Sequence, residues 1–253
     1  MLRTRIIPCL LLSENMLVKT INFNKFEYIG DPLNTCRIFN ELEVDEMVIL
    51  DITASKGNKE PNFKLLEKLC SECFMPLSYG GGITSLEHAE KIFSCGFEKI
   101  VLNSILFSSP GLIKKIANVY GSQSVIVSID VRKGFFGGYR IYSHSGTRKQ
   151  NFSLIEWVKS IEELGAGEIL LTSIDREGTW KGLDIDLVKT VSSAAKIPVI
   201  AHGGAGEIKH IGSAVKEGLA SAVALGSMVV FQNKGMGVLV NFPDKKKIEE
   251  ILK

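Results

Sequence analysis

The chain has 253 residues, 45% of them apolar and 23% charged, with a formal net charge of +2. That is enough chain to bury a full core and too balanced a charge for a protein built around nucleic acid or a membrane surface. The five cysteines, an odd and scattered set, read as reduced thiols of a cytoplasmic protein.

In chain order, Arg5–Leu11 reads as a first strand, since its apolar run is too short to span a bilayer and no cleavage site follows. Helical periodicity follows near Pro32–Leu42. Strands at Met47–Asp51, Pro76–Tyr79 and Lys99–Asn103 alternate with helices near Asn62–Cys73, Ser85–Ser94 and Gly111–Val119. The second half continues with strands Val125–Asp130, Glu168–Thr172, Pro198–Ala201 and Ser221–Leu225. Its helices lie near Ser153–Leu164, Ile185–Ala194, Glu207–Glu217 and Lys245–Leu252. Strict alternation predicts a parallel sheet covered by helices, and eight units predict a single α/β domain over 1–253, a (β/α)8 TIM barrel. Cys70 and Cys73 form a CxxC on a predicted helix without a second pair, which reads as helix packing rather than zinc or redox chemistry.

The chain repeats at about half its length, giving half-barrels of approximately 1–122 and 123–253. Leu50-Asp51-Ile52-Thr53 pairs with Leu171-Thr172-Ser173-Ile174, Gly80-Gly81-Gly82-Ile83 with Gly203-Gly204-Ala205-Gly206, and Val101-Leu102-Asn103-Ser104 with Ala224-Leu225-Gly226-Ser227. Glycine-rich turns after strands expose N–H groups that can hold phosphate. One expected phosphate corner is Gly81, Gly82, Asn103 and Ser104; its mate is Gly203, Gly204, Gly226 and Ser227. Two corners across one mouth suit a ligand with a phosphate at each end. The bland alternative is that these glycines only make tight turns.

Asp130 ends a strand, the place for a general acid or base in a barrel. Asp51 and Asp175 stand at similar rims and can orient hydroxyls. Lys19 falls in the predicted loop after the first strand, as a phosphate clamp or a solvated cation. The half-barrel mate of Asp130 should end the first strand, yet that stretch reads Pro8-Cys9-Leu10-Leu11-Leu12. His144 and His202 fall near the mouth; His202 is a candidate replacement acid/base, or a hydrogen-bonded structural residue. There is no metal-ligand spacing, nucleophile elbow, P-loop or Rossmann fingerprint, so neither metal nor cofactor is expected.

Several stretches together resemble the cyclase subunit of imidazole glycerol phosphate synthase. They are Arg5-Ile6-Ile7-Pro8-Cys9-Leu10, Gly30-Asp31-Pro32, Leu50-Asp51-Ile52-Thr53-Ala54-Ser55, Gly80-Gly81-Gly82-Ile83, the long run 165–179 (Gly-Ala-Gly-Glu-Ile-Leu-Leu-Thr-Ser-Ile-Asp-Arg-Glu-Gly-Thr) and Gly203-Gly204-Ala205-Gly206. The resemblance implies a barrel that receives ammonia from a glutaminase docked on its N-terminal face and delivers it to a doubly phosphorylated substrate at the other end. It places Lys19 at the family's substrate-loop lysine, Asp130 at one of two catalytic aspartates, and Gly82, Asn103, Ser104, Gly204 and Ser227 at its phosphate corners. Thr172 lies inside the long motif and joins the substrate-binding set. Arg5, Glu46, Lys99 and Glu168 match the charged gate of the ammonia channel, or else form a stabilising salt-bridge network.

The departures point further. Leu11 stands at the family's other catalytic aspartate, His202 at a small residue, and Tyr79 and Trp180-Lys181 are bulkier than the pattern. These features resemble a divergent branch from bacterial surface-glycan pathways. There the barrel and its glutaminase supply ammonia to a separate ATP-dependent sugar amidotransferase that converts an N-acetyl group to an acetamidino group. The expectation is therefore an ammonia-channelling subunit with little cyclase activity. The alternatives are a true cyclase of histidine biosynthesis and a non-catalytic module that binds a small phosphorylated ligand. None of the three requires nucleic acid or a membrane.

Overall fold

The computed structural model describes residues 4–135 and 137–253. In chain order its elements are β1 (Arg5–Ser13), β2 (Met16–Ile21), β3 (Asn24–Gly30), α1 (Pro32–Glu41), β4 (Met47–Asp51), α2 (Phe63–Glu72), β5 (Leu77–Gly80), α3 (Leu86–Cys95), β6 (Lys99–Leu102), α4 (Leu112–Tyr120) and β7 (Val125–Lys133). They continue with β8 (Tyr139–Ser143), β9 (Arg148–Lys149), α5 (Leu154–Glu163), β10 (Glu168–Ser173), α6 (Ile185–Ala194), β11 (Val199–His202), α7 (Ile208–Lys216), β12 (Ala222–Leu225) and α8 (Lys245–Leu252).

Eight of the strands pair in parallel in the order β10-β11-β12-β1-β4-β5-β6-β7, and β7 pairs back to β10, which closes the sheet. With the helices outside, this is the (β/α)8 barrel read from the alternation. Each predicted strand and helix is present, displaced by a few residues at most. Helix starts follow from side-chain caps: Asp31, Asn62, Ser85, Asp184 and Asp244 each accept a backbone N–H of the first turn. Each such cap stabilises by about 1 kcal/mol.

The closed sheet has two apolar faces. Ile6, Leu10, Leu12, Met47, Ile49 and their neighbours point outward and meet the helices in the main core. Ile7, Cys9, Leu11, Val48, Val101, Ile126, Leu170, Ile200, Ala222 and Ala224 form a separate buried cluster, the filling of the barrel. The period-two alternation of each strand produces this division. At the N-terminal end the filling gives way to four charges. Arg5 Nη1 lies 2.7 Å from Glu46 and Nη2 3.1 Å from Glu168, while Lys99 Nζ lies 3.0 Å from Glu46 and 3.1 Å from Glu168. Each charge has two opposite neighbours, so the ring is closed and largely desolvated.

Two additions were not foreseen. The segment after β1 is the antiparallel hairpin β2–β3, and β7 runs on into the antiparallel β8–β9 extension. The expectation that Lys19 lies in a loop is therefore wrong. Lys19 is on β2, where the pairing of Leu11 with Val18 turns the strand back over the mouth. Being only 3% exposed, it is not a solvated cation. Cys70 and Cys73 are free thiols packed against the core. Among the described residues, no group of three or more His, Cys, Asp or Glu can hold a metal, and no helix is long and apolar enough to cross a membrane.

Candidate functional site

A cavity of about 610 Å³ opens at the C-terminal ends of the strands, within the range of small-molecule sites. The turns after β4, β5 and β6, the ends of β7, β10 and β11, and both hairpins build its walls. Three covering segments meet above it. Asn22, at the tip of β2–β3, donates its backbone N–H to Glu177 O (2.9 Å) and its Nδ2 to Ile174 O (3.0 Å) and Asp175 O (2.9 Å). Ser145, at the tip of β8–β9, donates Oγ to Ile52 O (2.6 Å). His144 N donates to Ser104 Oγ (3.0 Å).

Asp130 sits at the floor of this cavity. Asn103 Nδ2 donates to its Oδ2 at 2.8 Å, and Ser128 Oγ to its Oδ1 at 3.4 Å. Burial outweighs these donors and pushes the carboxyl up to about 7. A carboxyl that exchanges its proton near neutrality is suited to acid/base work. The same shift bears on stability. In the unfolded chain this group ionises near pH 3.9, so between about pH 4 and about pH 7 the folded chain holds more of this proton. Over that window the contribution of Asp130 to stability falls as pH rises; below it the effect vanishes, and above it the full penalty, on the order of a few kcal/mol, is present. Asp130→Asn is therefore expected to gain on the parent as pH rises from about 5 to about 8, by roughly 5 °C in melting temperature. A gap that stays constant with pH would show an ordinary carboxyl.

Leu11 lines the same cavity, 5% exposed, at the inner end of β1. It offers methyl groups where the repeat calls for a carboxylate. His202 ends β11, with Nδ1 3.1 Å from Thr172 Oγ1. Burial, with help from Lys19, lowers its imidazole to about 3, so at neutral pH it is an uncharged hydrogen-bonding group rather than an acid. Lys19 Nζ donates to Cys9 O at 2.6 Å, and burial lowers its pKa.

The predicted site residues divide. Gly81, Gly82, Asn103 and Ser104 line the cavity with Asp51, Asp130, His144, Thr172 and His202. Asp51 Oδ1 accepts from Thr53 N and Oγ1 and from Ala54 N, which fixes the turn that Gly81 packs against. Gly203, Gly204, Gly226 and Ser227 lie outside the cavity walls. Asp175 is exposed and turned away, its Oδ2 accepting from Lys133 N at 2.8 Å. Sequence reasoning missed Glu177, two residues on. Its buried carboxylate faces the cavity, accepts from Phe23 N at 3.1 Å, and is raised by burial. In an irregular loop no periodicity tells which of two nearby acids points inward. Arg148 and Gln150 also line the cavity, carried there by the unforeseen β8–β9 extension.

Residues 5–234 match the family model described as histidine biosynthesis protein. A Pseudomonas aeruginosa protein provisionally named imidazole glycerol phosphate synthase subunit hisF2 is 51% identical over 249 residues, covering 98% of this chain and 99% of its own. Imidazole glycerol phosphate synthase subunit HisF of Chlorobaculum tepidum is 42% identical over 232 residues, covering 92% of each chain. The chain belongs to the imidazole glycerol phosphate synthase cyclase subunit family. Its mouth combines a buried Asp130 with a leucine, Leu11, at the repeat-related position, and a buried imidazole at His202.

Proposed function

We propose that this chain is the synthase-side subunit of a glutamine amidotransferase that passes ammonia rather than completing cyclase chemistry itself. A glutaminase subunit docks at the N-terminal face, outside the ring of Arg5, Glu46, Lys99 and Glu168. Ammonia crosses the apolar barrel filling to the mouth, for amidination of an N-acetyl sugar by a separate ATP-dependent enzyme in surface-glycan biosynthesis. The observation that carries this reading is Leu11: the charged ring is complete, while one of two proton-transfer positions is a hydrocarbon. Removing one essential acid/base group lowers rates by about 10²–10⁴. The departures at His202 and Trp180 support the glycan branch over the histidine branch.

One observation favours the second reading, a true cyclase of histidine biosynthesis: Asp130 is buried, hydrogen-bonded and poised near neutrality, as a working acid/base requires. Expression in a histidine auxotroph that lacks only its own cyclase separates the two. No growth without histidine, with the chain present at normal levels, is expected. Growth would establish the second reading.

A further inference from the structure

The sequence repeat offers two anion corners, but the folded mouth is not symmetric. The first corner opens onto the cavity. Gly82, Thr84, Asn103 and Ser104 line it, and Lys59 and Arg148 are cations among the residues lining the same cavity. The second corner is filled by the protein's own side chains. A Cβ placed on Gly226 would lie 3.0 Å from Lys19 Nζ and 3.7 Å from His202 Nε2, so these two groups occupy the space in front of that turn. One on Gly206 would lie 2.9 Å from the Trp180 ring. The loop from β10 to α6 is thus packed onto the turn after β11. Lys19 and His202 are themselves 3% and 6% exposed.

We propose that this mouth takes a ligand with a single phosphate, seated at the Gly82–Asn103–Ser104 corner, and that the ligand's other end is an uncharged, hydroxylated group facing His202, Thr172 and Asp130. The ligand class is a sugar monophosphate or a close relative, not a bisphosphate. A second phosphate has to displace a buried imidazole and a buried amine that already has a carbonyl partner. Neutral hydroxyls suit what remains, because His202, Thr172 and a half-protonated Asp130 can each donate or accept. The inference rests on the proposed function, because a chain that had kept cyclase chemistry would have to seat a doubly phosphorylated substrate.

The test compares two probes that differ by one phosphate, D-ribulose 5-phosphate and D-ribulose 1,5-bisphosphate, titrated calorimetrically into the full chain. Dissociation constants within about threefold of each other are expected, since the bisphosphate gains only a twofold advantage from offering two ends. Opening the second corner with His202→Ser, or with Trp180→Ala should that variant fold poorly, is expected to favour the bisphosphate over the monophosphate by a further ~10-fold, the gain from a newly seated phosphate. Ser104→Asp, which sets a carboxylate in the first corner, is expected to remove binding of both probes. A bisphosphate that binds the unaltered chain tenfold more tightly would overturn the proposal, since Lys19 would then be a clamp rather than a plug. Binding of neither probe, or undiminished binding to Ser104→Asp, would overturn the first corner as the seat. Rescue of the auxotroph would sink the ammonia-supply reading and this inference together, because a working cyclase has to seat its doubly phosphorylated substrate. A tenfold preference for the bisphosphate without rescue would sink this inference alone.

Discussion

The double variant Leu11→Asp/His202→Ser is expected to convert the doubly phosphorylated cyclase substrate, with ammonium as the nitrogen source, about 100-fold faster than the parent. Two physical changes are combined. The first restores a proton-transfer group opposite Asp130, where removal of such a group commonly lowers rates by about 10²–10⁴. The second removes one of the two side chains, the other being Lys19, that stand in the space before Gly226. Leu11→Asp alone is expected to gain much less, because the substrate still lacks a seat for one end. The substitution also carries a structural penalty. Leu11 belongs to the apolar filling of the barrel and is 5% exposed, and Asp51, Asp130 and Glu177 already share its cavity. Burying a further carboxyl there costs about 3 kcal/mol, or roughly 10 °C in melting temperature. Activity should accordingly be read well below the transition. A folded double variant with no gain would place the obstacle outside these two positions.

Gly81→Ala is expected to disable the first corner and to lower the melting temperature by roughly 10 °C. Gly81 has φ of +123°, a region that side-chain-bearing residues rarely adopt, and an added Cβ would lie 2.6 Å from Asp51 O and 2.7 Å from Asp51 Cβ. Neither neighbour can yield, because Asp51 Oδ1 is held by three donors from the following turn. Strain and overpacking together cost about 3 kcal/mol or more. Gly111→Ala is the matched control. Gly111 has φ of −62°, and an added Cβ there meets nothing within 4 Å. It should gain about 0.5–1 kcal/mol by restricting the unfolded chain. Equal behaviour of the two variants, measured by thermal denaturation and by titration with ribulose 5-phosphate, would contradict this account of the corner.

The barrel was legible because its signal is periodic. Each strand carries a short β-rich run, each helix an amphipathic stripe, and Asp31, Asn62, Ser85 and Asp184 stand where a helix needs an N-cap. The β2–β3 hairpin was hidden because it carries exposed apolar residues, Phe26 and Tyr28, and its turn bends through positive φ at Asn22 and Phe23 rather than at a glycine. Lys19 was misplaced for that reason. The first corner could be read from Gly81, Gly82, Asn103 and Ser104, since they follow their strands directly. The asymmetry between the corners could not. It depends on a lysine from β2 and a tryptophan from the loop after β10 folding back toward turns far from them in sequence. Glu177 was passed over for Asp175 because only the hydrogen bonds of that loop, Asp175 to Lys133 N and Glu177 to Phe23 N, decide which acid faces inward.

Ammonia-dependent turnover of the doubly phosphorylated cyclase substrate by the unaltered, purified chain bears most directly on whether this barrel has left cyclase chemistry. A rate indistinguishable from buffer at about pH 8, from protein that still binds ribulose 5-phosphate, is the expected result. A rate that neither Leu11→Asp nor the double variant improves, and that Asp130→Asn abolishes, would contradict it. The chain would then be a working cyclase that needs only one of the two carboxylates its repeat calls for.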